Sequence, residues 1–376
     1  MKKILYLVST LRKTGPTNQL SYIIKYLDRD KFKPIILTLS PESQEFENSM
    51  MKYFQDELTV EINSLNLSRV EGVLFAKAKI EKFIQKNRID LIHTQGLRAD
   101  ILSSKLNVNI PKIATIRNYP QLDFAIRYGK IRGYLIMKSQ IKALEKLDIC
   151  CGVSDAVTNN LKKTFNLKHL QTVRNGVDIS KYFPLTKEQR KNLQNRLSLP
   201  TDKKIWISSI GKDIRKDSSL IAKAFKKLYQ KDKNNFIIFV GDGLLKLECE
   251  SILKGIDDVL FTGKIDDVKS YLQSSHYFIS ASKAEGLPNA VLEAMACGLP
   301  QLLSDIEPHK EIINLDNRLG ILFETGCLGK LYNAMQEIDE IDYEERVRRV
   351  LNVINNHLTS SKMSKNYQTI YEKLKK

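Results

Sequence analysis

The amino-acid sequence predicts two doubly wound α/β domains. Short apolar runs rich in strand-forming residues, beginning with KKILYLV at residues 2–8, alternate with longer helical stretches. That alternation is typical of parallel strands buried on both faces and joined by helices. The pattern stops at LQTVRNGVDISKYFPL (170–185), where Asn-Gly, proline and polar residues indicate a boundary, and it restarts with KIWISSIG (204–211). A chain of 376 residues is long enough for two such domains.

The first domain is predicted over residues 1–180. Its strands are predicted at KKILYLV, KPIILTLS, IDLIHTQ, KIATIRN and LDICCGVS. Its helices are predicted at QLSYIIKYLDRD, at VLFAKAKIEKFIQKN and as one long stretch over residues 124–148.

The second domain is predicted over residues 181–358. Its strands are predicted at KIWISSIG, NFIIFVGDG, DVLFTG, HYFISAS and LPQLLSD, with helices at SSLIAKAFKKLYQKD and NAVLEAMACG. Residues 359–376 form a last predicted helix whose spacing suits packing against a neighbouring element. The residues on its apolar side are Met363, Tyr367, Ile370, Tyr371 and Leu374.

The net charge of +17 and the pI of 9.4 imply an anionic partner, which could be a nucleic acid, a lipid surface or a phosphate-bearing substrate. The basic excess lies mostly in the first half of the chain. No apolar run approaches the ~20 residues that span a bilayer, and no signal peptide is expected. Five scattered cysteines give neither a disulfide framework nor metal-ligand spacing, which favours a reducing cytoplasm.

The loop at residues 280–305 is the most informative candidate for a binding site, because ligands of open α/β sheets bind at the carboxyl ends of strands. If Asn289 caps or opens the following helix, its first free N–H groups favour an anion such as a diphosphate. Glu293 could then accept hydrogen bonds from two ribose hydroxyls. The alternative is that Glu285 ends a strand and Glu293 is a solvated helix residue.

This loop resembles the signature of the retaining glycosyltransferases of family 4. Seven residues separate Glu285 from Glu293, and Ala294, Met295, Ala296, Gly298 and Pro300 complete the pattern. SDIEPHKEII resembles the usual sequel of this signature, and weaker resemblance extends to VSDAVTNNL, RNGVD and GDG. The resemblance implies the GT-B fold, in which two Rossmann-like domains face each other across a cleft and a C-terminal helix crosses back to the first domain. The first domain would lie on the acceptor side, and the second would bind a nucleotide sugar.

The resemblance also implies roles for the second domain's residues. Glu293 would hold the nucleotide ribose, Glu285 would lie near the donor sugar, and the backbone of Gly286, Leu287, Pro288 and Asn289 would approach the donor's hydroxyls or phosphates. A basic pair would neutralise the leaving diphosphate. The candidates are Lys216 and Lys212, with Arg215 as an alternative to Lys212 because arginine has a bidentate fork; solvated loop charge is the other interpretation.

In the first domain, the resemblance places Gly15 near the donor phosphate and the acceptor, with an ordinary turn as the alternative. His93 matches a histidine common at the end of the family's fourth strand, although a lone histidine is more often structural. Arg117 and Asn118 would lie on the acceptor or donor-sugar side. Many relatives have histidine where Arg117 stands. Arginine stays protonated, so it could instead bind an acceptor phosphate or an acidic group on a sugar.

The resemblance therefore predicts a retaining, metal-independent, hexosyltransferase-type enzyme. Its partners would be a nucleotide sugar, with UDP commoner than GDP, and a saccharide acceptor linked to polyprenyl diphosphate, in O-antigen, capsule or other envelope polysaccharide synthesis. No cofactor is expected beyond this co-substrate. The basic and apolar residues within 124–148 predict contact with an anionic membrane surface, at the inner face of the cytoplasmic membrane, or else an ordinary surface helix.

Two other classes of function remain open at this point. A nucleotide-sugar epimerase of the same fold would form product without an acceptor. A nucleic-acid-binding protein would use the positive charge directly, but the sequence lacks an aromatic and basic stacking platform, so no nucleic acid is expected as partner.

Overall fold

The computed structural model describes residues 1–42, 49–211, 214–338 and 342–374. The chain forms two compact units, one of residues 1–176 with 360–376 and the other of residues 177–359. Each unit is built on a parallel β-sheet, as the sequence predicts.

The sheet of the first unit has seven parallel strands in the order β3-β2-β1-β4-β5-β6-β7. The strands are β1 (Lys2–Val8), β2 (Phe32–Thr38), β3 (Glu61–Ser64), β4 (Leu91–Gln95), β5 (Lys112–Ile116), β6 (Ile149–Gly152) and β7 (Leu170–Thr172). The order reverses between β1 and β4, which is the switch point where doubly wound sheets bind ligands. The edge strands β3 and β7 are too short and too polar to show in the sequence pattern.

Helices cover both faces of this sheet. They are α1 (Gly15–Lys25), α2 (Arg69–Asn87), α3 (Leu97–Ser103), α4 (Pro120–Tyr128), α5 (Lys130–Leu144), α6 (Asp155–Phe165) and, from the end of the chain, α15 (Ser360–Lys373). Helix α15 packs beside α1, and its predicted apolar side joins the core there. The Ser364 hydroxyl donates a hydrogen bond to the Ile23 carbonyl at 2.7 Å, which ties the helix to this unit.

The stretch predicted as one long helix over residues 124–148 consists of two helices, α4 and α5. They are separated by Gly129, whose φ of 79° favours glycine and cannot continue a right-handed helix. Gly133 lies so close to the backbone of Phe124 that a Cβ there would collide with the Phe124 carbonyl oxygen. The glycines therefore allow α4 and α5 to fold against each other as a tight pair.

The second unit has a six-stranded parallel sheet in the order β10-β9-β8-β11-β12-β13. The strands are β8 (Lys204–Ser209), β9 (Asn235–Val240), β10 (Val259–Gly263), β11 (Tyr277–Ser280), β12 (Gln301–Ser304) and β13 (Gly320–Phe323). The helices are α7 (Lys187–Arg196), α8 (Ser218–Lys231), α9 (Lys246–Ile252), α10 (Val268–Ser274), α11 (Asn289–Ala296), α12 (Glu307–Ile313), α13 (Leu328–Glu337) and α14 (Tyr343–His357). Its switch point lies between β8 and β11.

The boundaries of the units differ by a few residues from the predicted 180/181 and 358/359. The second unit begins at Val177 because the Val177 N–H donates to the Leu358 carbonyl at 2.9 Å, which pairs the start of this unit with its end. In the first unit, the buried Gln19 side chain holds the peptide groups of Gly176 through two hydrogen bonds. No helix in the described part of the chain has the length and hydropathy needed to cross a lipid bilayer.

Candidate active site

Charged side chains join the loops after β8 and β11 in the second unit. Lys216 Nζ lies 2.6 Å from Glu285 Oε1. The backbone N–H of Lys283 donates to the Arg215 carbonyl at 2.8 Å, and the Lys283 ammonium lies 2.8 Å from the Asp217 carboxylate. The structure therefore brings together two residues that the sequence placed 69 positions apart, Lys216 and Glu285, at the carboxyl edge of the sheet.

Glu285 is an anion stabilised by its neighbours. Its burial raises the pKa of the carboxyl group, but the Lys216 ammonium and its hydrogen bond outweigh burial and bring the pKa below its ordinary value. The nearby His309 and the Ser282 hydroxyl, which donates at 3.0 Å, act in the same direction. At neutral pH the edge thus holds a half-buried cation and a half-buried anion in contact.

A buried histidine lies near Glu285. His309 follows β12 in α12, and its Nδ1–H donates to the Ser304 carbonyl at 2.9 Å, since a carbonyl oxygen only accepts. The Ser304 hydroxyl in turn donates to the Ser282 carbonyl at 2.6 Å. Burial lowers the pKa of His309 to about 4, so its imidazole is neutral at physiological pH. Its Nε2 is buried and has no hydrogen-bond partner among the described residues.

Helix α11 begins at Asn289, as the sequence analysis considered, with Pro288 at its N-cap. Gly286, Leu287 and Pro288 are buried in the turn that leads into the helix. Glu293 lies one turn into the helix and is only partly exposed. This geometry places the predicted ribose-binding carboxyl group on the same helix that follows the Glu285 loop.

The environment of Glu293 favours its protonated form. Burial raises the pKa of this carboxyl group from 4.5 to about 7, although the charges of Lys181 and Lys216 and a hydrogen bond from Tyr182 oppose the shift. The group therefore changes its charge near neutral pH. Ligand hydroxyls that donate to the carboxylate would favour its ionised form.

Sequence reasoning missed Lys181 and Tyr182. They lie in the segment that was interpreted only as an interdomain boundary, and no periodicity or motif in that segment marks them as neighbours of Glu293. Ser304 and His309 were noted only as part of SDIEPHKEII. A signal for them existed, since Ser304 lies at the end of a predicted strand, LPQLLSD, and His309 lies four residues after that strand. Lys212 lies outside the described residues.

In the first unit, the loop after β1 borders a cavity of about 190 Å³. Gly15 is the first residue of α1 and is exposed. Its neighbours Thr14, Pro16 and Thr17 line the cavity, and Gln95 at the end of β4 lines it as well. The predicted glycine loop thus lies beside the switch point between β1 and β4.

His93 is fully buried and does not line this cavity. Its Nδ1 lies 2.8 Å from the Tyr371 hydroxyl and its Nε2 lies 2.7 Å from the Thr115 hydroxyl. Burial, together with the charge of Arg117, lowers the pKa of His93 to about 3. The residue is a neutral support beneath the carboxyl edge, where it contacts the side chain of Gln95.

Arg117 and Asn118 follow β5. One terminal nitrogen of Arg117 donates to Gln95 Oε1 at 2.6 Å and the other donates to Asn175 Oδ1 at 3.2 Å. Asn118 Nδ2 donates to the Asp123 carboxylate at 2.7 Å, which ties it to the first turn of α4. Arg117 is therefore held at the same edge as Gln95, whereas Asn118 is engaged with the helix that follows.

Two family models match this chain. The model for glycosyltransferase family 4 matches residues 14–181, and the model for glycosyl transferases group 1 matches residues 203–340. Between them they span most of both units, including the loops after β1, β8 and β11.

Curated relatives are similar over much of their length. An O-antigen biosynthesis glycosyltransferase of Escherichia coli, WclY, is 24% identical, with 99% of this chain and 98% of the relative covered. A UDP-Gal:α-D-GlcNAc-diphosphoundecaprenol α-1,3-galactosyltransferase of Escherichia coli is 22% identical, with 69% and 68% covered.

Among solved structures, the Anabaena protein HepE in complex with UDP superposes with a TM-score of 0.80 at 16% sequence identity, covering 99% of this chain and all of that one. A likeness of this extent confirms the predicted fold class.

Proposed function

Because this chain belongs to the family 4, group 1 glycosyltransferases, we propose that it moves a sugar from a nucleoside-diphosphate sugar to a saccharide hydroxyl with retention at the anomeric carbon. We propose UDP as the carrier. UDP is named for a galactosyltransferase relative and for the HepE complex, and this supports the choice. GDP is the alternative that the first experiment tests.

The contact between Lys216 and Glu285, together with the nearby Glu293, carries this proposal. Glu293 binds the two ribose hydroxyls, which a carboxylate can accept together. Lys216 neutralises the diphosphate as it leaves, with Arg215 or Lys212 as the second cation. Glu285 lies beside the donor sugar, where a negative charge stabilises an oxocarbenium-like transition state.

The proposed reaction breaks the bond between the anomeric carbon and the phosphate oxygen and forms a bond to the acceptor oxygen on the same face. The acceptor's hydroxyl proton passes to the departing phosphate oxygen, which becomes part of the nucleoside diphosphate. The side-chain cations and the first N–H groups of α11 take the role that a divalent ion has in other enzymes. The reaction is thus proposed to be metal-independent.

We propose a lipid-linked saccharide as acceptor, in synthesis of an envelope polysaccharide. The name of one relative specifies a diphosphoundecaprenol-linked acceptor, and that of another specifies O-antigen biosynthesis. The paired helices α4 and α5 add a physical reason, because they expose Ile126, Ile131, Tyr134 and Leu135. Exposed basic residues accompany them on the same helices, namely Arg127, Lys130, Arg132, Lys138 and Lys142. Such a surface suits peripheral contact with an anionic leaflet at the cytoplasmic face.

The donor site is tested by thermal stabilisation with a panel of UDP and GDP sugars, on wild type, Glu293→Ala and the control Glu248→Ala. Glu248 is an exposed residue of α9 in the same unit. A ligand at 100 times its Kd stabilises by about 2.7 kcal/mol. We expect one nucleotide sugar to stabilise wild type and the control but not Glu293→Ala.

If no nucleotide sugar and no nucleoside diphosphate stabilises wild type, the donor-site assignment is wrong. Product formed from the nucleotide sugar without any acceptor would instead indicate an epimerase. Analysis of the anomeric configuration of the product by NMR tests retention directly.

A further inference from the structure

Arg117 carries a positive charge that no acid in the described part of the chain compensates. Its two hydrogen bonds go to the amide oxygens of Gln95 and Asn175, which are neutral. None of the described carboxylates lies within 4.0 Å of its guanidinium, whereas Lys216 at the other sheet contacts Glu285 directly. A half-buried cation without a counter-charge is unusual, because buried charges in proteins are normally paired.

The groups beneath Arg117 are also neutral. His93 is uncharged at physiological pH because burial and the Arg117 charge lower its pKa to about 3. The tyrosines Tyr367 and Tyr371 keep their protons because burial raises the pKa of each phenol. Tyr6, whose hydroxyl lies 3.3 Å from that of Tyr371, keeps its proton because burial raises its pKa, and Thr115 has no charge. The protein therefore leaves the positive charge of Arg117 available for a ligand.

A buried chain of hydrogen bonds fixes the orientation of the Gln95 amide. The Gln95 NH₂ group points inward, 3.1 Å from His93 Nε2 and 3.4 Å from the Thr115 hydroxyl. Because Nε2 accepts there, the proton of His93 is on Nδ1, which donates to the Tyr371 hydroxyl. Because a guanidinium only donates, the Gln95 oxygen faces Arg117, and this orientation agrees with the NH₂ group pointing inward.

The hydrogen bonds to Gln95 and Asn175 hold the Arg117 guanidinium in one orientation. The two bonds described use one N–H on each terminal nitrogen, and a guanidinium has five N–H donors. The donors left over can form the parallel pair of bonds that carboxylate and phosphate groups accept. Gln95 also lines the cavity of about 190 Å³ beside the loop after β1, so this cavity adjoins the residue that orients Arg117.

We infer that Arg117 binds an oxyanion of the acceptor, a phosphate or a carboxylate, and thereby selects acidic over neutral acceptors. This inference rests on the proposed transferase function. The acceptor rather than the donor is assigned because Lys216, Arg215 and Glu293 of the second unit are the groups proposed for the donor nucleotide. Gln95 and His93 are positioning residues that act through Arg117.

Kinetics with matched acceptors test this inference. One saccharide is offered as a lipid diphosphate, as a neutral alkyl glycoside and as an alkyl glycoside oxidised to a uronic acid. Wild type should prefer at least one acidic form by tenfold or more in kcat/KM, and Arg117→Gln should lose this preference through a higher acceptor KM with an unchanged donor KM. Which acidic form is preferred identifies the source of the oxyanion. Arg348→Gln, a change at a surface arginine of the second unit, is the control.

A preference that survives in Arg117→Gln, or an effect on the donor KM alone, would overturn the inference. A direct measurement keeps the test independent of turnover. Inorganic pyrophosphate and glucuronate are titrated calorimetrically into wild type and Arg117→Gln saturated with UDP, with circular dichroism to verify folding. At least one probe should bind wild type tenfold more tightly than the variant.

The same titration separates the two hypotheses. If neither UDP nor GDP binds but an oxyanion probe still depends on Arg117, the proposed transferase function fails and the oxyanion site stands. If UDP binds and neither probe distinguishes Arg117→Gln from wild type, the oxyanion site is rejected and the proposed function is unaffected.

Discussion

The two sheets have the same strand order, apart from the additional edge strand β7 in the first. Their carboxyl edges differ in how the charges of the side chains are compensated. In the second unit Lys216 contacts Glu285, and Lys283 contacts Asp217. In the first unit Arg117 is held by amide oxygens above a neutral cluster around His93. An edge at which lysines contact carboxylates is suited to a ligand with both hydroxyls and phosphates. A cation held by neutral amides is suited to an anion. The edges proposed for the donor and for the acceptor therefore present different charge patterns to a ligand.

The largest expected effect comes from breaking the pair in the second unit. Lys216→Met should lower kcat by about 100- to 1000-fold, the size seen when one electrostatic stabiliser of a transition state is removed. Steady-state turnover of the donor found in the stabilisation panel measures this. Lys223→Met, at an exposed lysine of α8 that is 3.9 Å from Glu248, is the control. If the activity of Lys216→Met stays within threefold of wild type, Lys216 has no catalytic role.

A second effect concerns the titration of Glu293. Its folded-state pKa of about 7 lies above the ordinary 4.5, so the folded protein holds a proton that the unfolded chain has lost between these pH values. The stability of wild type should therefore fall from pH 4.5 to pH 7 relative to Glu293→Gln, by about 1 to 3 kcal/mol. Urea unfolding across this range measures it. A difference between the two proteins that does not vary with pH would contradict the prediction.

The same titration affects ligand binding. Since ribose hydroxyls donate to the ionised carboxylate, UDP should bind wild type more tightly at pH 8 than at pH 6. Calorimetry at both pH values checks this, and Glu293→Gln should lose the pH dependence that comes from this group. If UDP binding depends on pH equally in wild type and Glu293→Gln, the dependence comes from other groups.

In the first unit, the neutral cluster can be perturbed without touching Arg117. Tyr371→Phe removes the hydroxyl that accepts from His93 Nδ1 and leaves a buried N–H without its partner. A loss of about 1 to 3 kcal/mol in the free energy of unfolding is expected. The acceptor KM should also rise, because Gln95 is less well oriented. Tyr332→Phe, at a partly exposed tyrosine of α13 in the second unit, is the control; a stability loss with an unchanged acceptor KM would limit the cluster to a structural role.

The smallest expected effect concerns the surface of α4 and α5. Ile131→Ser with Leu135→Ser removes two exposed apolar side chains and should weaken binding to anionic phosphatidylglycerol vesicles by roughly tenfold, since burying such a side chain contributes about 1.5 to 3 kcal/mol at most. Vesicle cosedimentation measures it. Leu247→Ser, at an exposed leucine of the second unit, should have no effect, and equal binding by all variants would show that this surface does not contact the membrane.

The sequence predicted the local structure well where hydrophobic periodicity is strong. Both parallel sheets and the apolar side of α15 are as predicted, and of the two places considered for Asn289, cap or first helical residue, the structure has the second. It missed the break at Gly129, because an isolated glycine is tolerated within a helical pattern and only its positive φ in the structure ends the helix. It also missed the short strands β3, β7 and β13, which consist of three or four residues.

The sequence by itself determined the fold class, the family and the loops in which charged residues would gather, since these follow from patterns a few residues long. Only the tertiary structure decided which charges are compensated. Glu285 contacts Lys216, and Glu293 accepts a hydrogen bond from Tyr182. Among the described residues, Arg117 donates only to the neutral side chains of Gln95 and Asn175. All of these partners come from distant parts of the chain. Electrostatic compensation depends on distances between side chains and on their burial, and neither quantity is set by the spacing of residues along a sequence.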